Sequence, residues 1–186
     1  ICEAYSIPLP KDATATSAAE AARIAAEFGT PVVLKIVSPE ITHKTDVGGV
    51  IAGLSGDAEV ATAYDAIIAN VAKNAPGASV TGVLVQQMLS GGVEVIVGGV
   101  TDGSFGKIVA FGLGGVLVEV MQDVTFRLAP VTNETATSML DSIKGAALLR
   151  GVRGGAAANR EALAGLIEKV SHVMADHPEI SELDLN

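Results

Sequence analysis

The chain has 186 residues, enough for one domain or two closely joined subdomains with a sizeable core. Apolar residues make up 49% and the net charge is −9, which excludes a disordered chain and argues against nucleic-acid and anionic-membrane partners. One cysteine, Cys2, excludes an internal disulfide, and no apolar run approaches the ~20 residues that span a bilayer, so the composition points to a soluble cytoplasmic protein.

In chain order, Ser17-Ala18-Ala19-Glu20 fits a capping box for a helix running through Ala21 to Phe28, with Gly29 as its stop. Pro31 to Val37 has the apolar density of a buried strand, and Val50 to Leu54 is a second, shorter one. Asp57 to Lys73 carries helical periodicity, with Val60, Tyr64, Ile67, Ile68 and Val71 on one stripe. Val80 to Met88 is a further strand, making the first half a β-α-β-loop-β-α-β arrangement in some order. The second half opens near Ser90-Gly91-Gly92. Strands are expected over Val93–Val100 and Lys107–Phe111, turning at Asp102-Gly103. Val116–Val120 and Thr125–Leu128 read as extended and end at Ala129-Pro130. Helices begin near Thr132 and over Asn159–Met174, with Gly145–Ala158 between them read as a mobile loop. Ile180 to Leu185 alternates as a strand. The chain has no initiator methionine or signal peptide and opens in mid-pattern, as an excised piece of a larger protein would.

Several residues stand out against this background. Lys35 sits inside VVLKIV, where a charged lysine is costly unless its ammonium meets an anion such as phosphate or snorkels to water. Both readings fit the spacing. The following loop offers His43, Lys44, Thr45 and Asp46, then Gly48 and Gly49, which would let backbone N–H groups approach a phosphate. It is no Walker A loop, because no Gly-Lys-Ser/Thr follows the glycines. His43 is either a nucleophile or proton carrier or a solvated loop residue. Gln86-Gln87-Met88 ends a strand between the two halves, where backbone groups could meet a planar ligand, and Glu94 follows a glycine pair. Gly112-Leu113-Gly114-Gly115 lacks the helix that a dinucleotide fingerprint needs and reads as a bend or close packing. Glu119, Asp123 and Arg127, on extended segments, read either as structural ion partners or as charges that serve function. Glu182, Asp184 and Asn186 alternate with Leu183 and Leu185, so a strand would gather three hard oxygen donors on one face, either a magnesium cluster or a solvated edge. His172 and His177 suit a helix C-terminus.

Taken together, GTPVVLKIVSPEITHKTDVGGV, VLVQQML, GGVEVIVGGVTDGSFGKIVAFGLGGVLVEVMQDVTFRLAP and ISELDLN resemble the ATP-grasp domain of the NDP-forming acyl-CoA synthetases, nearest the β subunit of ADP-forming acetyl-CoA synthetase. The likeness runs from about Tyr5 to Asn186, and His-Lys-Thr-Asp-x-Gly-Gly is its most specific element. The resemblance implies an α+β, ATP-grasp fold of two α/β subdomains, residues 1–88 and 89–186, each truncated at its outer end, with a nucleotide cleft between them. It implies ATP/ADP and Mg²⁺ as cofactors. Lys35 would hold the nucleotide phosphates, and Gly48 and Gly49 would belong to a phosphate-covering loop. Gln87 and Met88 would form the adenine hinge, Glu94 would bind ribose, and Arg127 would help neutralise phosphate. Asp184 and Asn186 would lie at the magnesium site. His43 matches a histidine that carries a phosphoryl group in transit, with Asp184 the acid near it. The first metal-ligating acid of other ATP-grasp enzymes has no match: Ser171 and His172 occupy its region, and Asp176 is out of line. The implied partner is a CoA-binding α subunit or fused domain carrying a second histidine. The implied reaction makes acid, ATP and CoA from acyl-CoA, ADP and phosphate, reversibly, with the isolated fragment inactive. A second reading is a regulatory module of a protein acetyltransferase that binds without turnover.

Overall fold

The computed structural model of the chain describes residues 1–29, 31–115, 123–152 and 156–185. It falls into two compact units, residues 9–90 and residues 1–8 with 91–186.

The 9–90 unit runs β1 (Asp12–Ala15), α1 (Ala18–Phe28), β2 (Val32–Val37), β3 (Val50–Leu54), α2 (Asp57–Asn74) and β4 (Gly82–Gln87). The Ser17 hydroxyl accepts from the Glu20 N–H at 3.2 Å, while the Glu20 carboxylate turns back to the Thr16 N–H at 2.8 Å. This is the expected capping box, with its return bond one residue earlier. Gly29 closes α1 at φ 64°, a left-handed position that suits glycine. The strands form one antiparallel sheet in the order β1-β4-β2-β3. Alternation along β2 buries Val32, Leu34 and Ile36, with Val83 and Val85 of β4, against Ile24, Val60 and Ile67 of the two helices. Each such side chain contributes about 1.5–3 kcal/mol of burial. Lys35 lies on the opposite sheet face.

The other unit has β5 (Val95–Asp102), β6 (Gly106–Leu113), β7 (Val124–Leu128), α3 (Asn133–Ser142), α4 (Ala146–Leu149), α5 (Arg160–Asp176) and β8 (Glu182–Leu185). Its antiparallel sheet runs β7-β6-β5-β8, so β7 and β8 are the edges. Val97, Val109, Phe111 and Leu113 pack on Met139, Leu140, Ile167 and Val170 of the helices. The stretch read as a mobile loop, Gly145–Ala158, instead contains α4, whose Leu149 is fully buried. Asp123 explains the order. Its buried carboxylate accepts from the Lys144 N–H at 2.7 Å and the Gly145 N–H at 2.6 Å. Asp123 thus serves backbone amides and makes no ion pair among the described residues, and Glu119 lies outside them. The first eight residues join this unit: Ile7 enters its core, the Tyr5 hydroxyl donates to Asp176 at 2.7 Å, and the Lys169 ammonium donates to the Ser6 carbonyl at 2.7 Å. Among the described residues no helix is long and apolar enough to cross a membrane.

Candidate functional site

Lys35 projects from the sheet face that α1 and α2 leave uncovered, half-buried, with its ammonium donating to Gln86 Oε1 at 2.8 Å. Antiparallel pairing of β2 with β4 sets Lys35 opposite Leu84 and Val33 opposite Gln86, which puts Gln86 on the lysine's own face. Gln86 is neutral, and no ion pair to Lys35 is present among the described residues. The charge is oriented without being neutralised, and the ammonium, with three N–H groups, retains donors for an anion.

The loop from Ser38 to Gly49 leaves β2 and re-enters the sheet at β3, with His43 exposed on it. Its base is closed by its own backbone. The Gly49 N–H donates to the Lys44 carbonyl at 2.8 Å, the Gly48 N–H to Thr45 at 3.0 Å, and the Asp46 N–H to His43 at 3.2 Å. The two glycine amides are therefore engaged inside the loop. The glycines are there for space and conformation. A Cβ on Gly49 would stand 2.6 Å from Ile36 Cγ2 and 2.9 Å from the Lys44 carbonyl oxygen, and Gly48 has φ 69°. Helix α2 holds the loop from outside, because Asn70 Nδ2 donates to the Gly48 carbonyl and Asn74 Nδ2 to the Val47 carbonyl, each at 3.2 Å. One helical turn separates the two asparagines, so they grip consecutive carbonyls.

At the end of β4, the Gln87 N–H donates to the Lys11 carbonyl and the Met88 N–H to the Pro31 carbonyl, both at 2.8 Å. Met88 and Leu89 are exposed. In the other unit, Glu94 is exposed directly before β5, and its carbonyl accepts from the Gly114 N–H at 2.7 Å. A Cβ at Gly114 would meet the Glu94 backbone at 3.0 Å, and one at Gly115 would collide with the Glu94 carboxylate. Gly114 and Gly115 are thus close packing around Glu94, and Gly112 packs as closely against Asp123 and Val124, as the pattern suggested.

Arg127 and Asp184 share a sheet but not a face. Arg127 pairs with the buried Val109, placing it on the helix-covered face, where it donates to Thr125 Oγ1 at 3.1 Å, the Phe126 carbonyl at 2.8 Å and Ser142 Oγ at 3.4 Å. Asp184 pairs with Gly98 on the uncovered face, beside exposed Glu182, while Leu183 and Leu185 turn to the core. Since β7 and β8 are opposite edges, the two residues are separated by the width and the thickness of the sheet. Asn186 lies outside the described residues.

Among the described residues no group of three or more His, Cys, Asp or Glu side chains could hold a metal ion. Magnesium keeps much of its water and is held by one or two carboxylates together with substrate phosphates, a role within reach of Asp184 with Glu182 beside it. Ser171 has no part in this: it is buried, accepts from the Val131 N–H at 3.0 Å and donates to the Glu168 carbonyl at 2.6 Å. The sequence reading missed the service of Gln86, Asn70 and Asn74. The first needs the β2/β4 register, and the other two had a signal only in their spacing.

The whole chain, residues 1–186, matches a family model described as an ATP-grasp domain. It is 45% identical over its full length to the β subunit of acetate–CoA ligase (ADP-forming) I of Pyrococcus furiosus, covering 80% of that subunit. It is also 45% identical to the 4-hydroxybutyrate–CoA ligase (ADP-forming) of Nitrosopumilus maritimus, of which it spans only 27%. Two structures of acetyl-coenzyme A synthetase 1 from Ca. Korarchaeum cryptofilum share its fold. One, with coenzyme A and Ca-AMPCP, superimposes with a TM-score of 0.93 at 44% identity, covering 99% of this chain and 80% of that one. The other, with coenzyme A and Mg-AMPPCP and its phosphohistidine segment pointing towards the nucleotide site, gives 0.85 at 40% identity, covering 99% and 79%.

Proposed function

From the premise that this chain belongs to the ATP-grasp domains of the ADP-forming acyl-CoA synthetases, we propose that it is the nucleotide-handling part of such a synthetase. In this reading it moves a phosphoryl group between His43 and ADP or ATP. The observation that carries the reading is the His43 loop: an exposed imidazole on a loop closed by glycine amides and gripped by two asparagines. That is what a phosphoryl carrier needs, namely access at the tip and a fixed base.

The assignments follow from what each group can offer. Lys35 holds phosphate oxygens through the donors Gln86 does not take. The backbone around Gln87 and Met88 meets adenine through its carbonyl groups, since both N–H groups are engaged, and Glu94 meets ribose. Gly48 and Gly49 shape the loop. Arg127 is left out of the phosphate set, because it lies on the helix-covered face. Mg²⁺ would be held by Asp184, with Asn186 as a second oxygen donor, and would supply charge neutralisation on the phosphates. In the transfer towards ATP, the N–P bond of phosphohistidine breaks, a terminal ADP oxygen forms the new P–O bond, and the imidazole is released. Little more than positioning and charge neutralisation is required of the protein. The acyl chemistry belongs to a CoA-binding partner, as a separate subunit or fused domain, which would phosphorylate His43.

The test is acid-labile labelling. The full-length protein, given acyl-CoA and labelled inorganic phosphate, should carry label on His43, and His43→Ala should carry none there. Unimpaired synthetase turnover by His43→Ala would sink the relay. Nucleotide binding without any turnover in the full-length wild type would point instead to a regulatory module.

A further inference from the structure

We propose that Lys107 is a positioning residue for Asp184, acting through the turn that leads into β8. The inference rests on the role proposed above for Asp184 and deepens it.

Lys107, the second residue of β6, stands opposite Thr101 of β5, on the sheet face that the helices cover. Its ammonium is ringed by oxygens: Ile180 carbonyl at 2.5 Å, Thr101 Oγ1 at 2.8 Å, Pro178 carbonyl at 3.1 Å and His177 carbonyl at 3.2 Å. An ammonium has three N–H groups and faces four acceptors here, so its donors are saturated. Three of those acceptors belong to one short turn, residues 177–180, which joins α5 to β8. Helix α5 has no basic residue in its last turn, so Lys107 supplies from another strand the cation its C-terminus favours. Thr101 completes the clamp: its hydroxyl donates to the Ile180 carbonyl at 2.9 Å and its N–H to the Ser181 carbonyl at 2.8 Å.

The clamp matters because β8 is a four-residue edge strand with one neighbour. Pairing Val100 with Glu182 and Gly98 with Asp184 sends both acids to the uncovered face. A slip of one residue would send Leu183 and Leu185 there and turn Asp184 towards the core. Only three residues of chain lie between the clamped Ile180 carbonyl and Asp184, so fixing the first sets the phase of the second. An apolar side chain at 107 would leave three carbonyls facing each other with no cation between them.

The experiment uses the full-length protein with Lys107→Met, and Asp184→Asn in parallel. Amide hydrogen exchange over residues 182–185 should quicken roughly tenfold while β6 keeps its protection. The half-saturating Mg²⁺ concentration should rise about tenfold, as loss of a supporting group around a metal ligand does, with KM for acyl-CoA unchanged. In Lys107→Ala, methylammonium should restore the wild-type Mg²⁺ dependence by refilling the ring of oxygens. Thr101→Val, which keeps the lysine, should show a smaller change of the same kind and serves if Lys107→Met does not fold. Unchanged exchange in β8, or equal quickening across the whole sheet, overturns the inference. If Asp184→Asn leaves the Mg²⁺ dependence untouched, the role proposed for Asp184 fails, and exchange in β8 still decides whether Lys107 sets the strand.

Discussion

Lys35 and Lys107 both project from strands of four-stranded antiparallel sheets, one in each unit, and they are used in opposite ways. Among the described residues Lys35 has a single, neutral partner, Gln86, while Lys107 faces four oxygens. A lysine with unused donors is available to a ligand, and one with saturated donors is available only to the fold. The same division holds more widely. The 9–90 unit places its candidate groups on a pinned loop and on the uncovered face of a central strand. The other unit places Asp184 on an edge strand, whose phase has to be set from outside it.

The sharpest way to break this comparison is at the loop. His43→Ala should lower synthetase turnover in the full-length protein by on the order of 10³-fold. Its exposed side chain makes no hydrogen bond or ion pair among the described residues, so the thermal midpoint should stay near the wild type. Lys35→Met comes next. Loss of a charge aimed at phosphate should cost roughly 10²-fold in kcat/KM for ADP, with little change in stability, read by steady-state kinetics and urea unfolding. An unfolded Lys35→Met protein would show that this lysine, too, belongs to the fold.

Smaller effects separate the loop's shape from its chemistry. Gly49→Ala forces a methyl group against Ile36 and the Lys44 carbonyl and should destabilise the protein by about 1–3 kcal/mol in denaturant unfolding. Asn70→Ala removes one grip on the Gly48 carbonyl and should cost about 1 kcal/mol. If Asn70→Ala leaves His43 labelling as fast as in the wild type, the grip is not part of the mechanism.

The smallest expected effect is electrostatic and sits away from both lysines. The hydrogen bond from Arg150, supported by Arg160 and opposed by desolvation, holds the Asp141 carboxyl below the usual carboxylate range. A depressed folded-state pKa stabilises the protein above the unfolded-state value, and the contribution disappears as pH falls through the folded one. Asp141→Asn should therefore lower the urea midpoint slightly at neutral pH, and the difference should vanish in acid. A difference that grows in acid would reverse the assignment.

Much of this was legible in order along the chain. The Ser17 cap, the Gly29 stop and the apolar stripe of α2 are local signals, and they appear at or within a few residues of their expected places. β1 was not localised, because Asp12-Ala13-Thr14-Ala15 has little strand propensity and is extended by pairing with β4. Helix α4 was read as a loop for a related reason. Its four residues carry no periodicity, and its order comes from Asp123, more than twenty positions earlier in the chain.

The candidate site divides along the same line. By residue type and spacing alone, the chain singled out a lysine in an apolar strand, a histidine before paired glycines, and alternating acids at its end. Those depend on local chemistry and the two-residue period of a strand, which neighbouring residues encode. Which oxygens each ammonium meets, that the glycine amides close their own loop, and that Arg127 and Asp184 occupy opposite faces were decided only by the tertiary structure. Strand register and helix docking join residues far apart in the chain, and no local pattern carries that pairing.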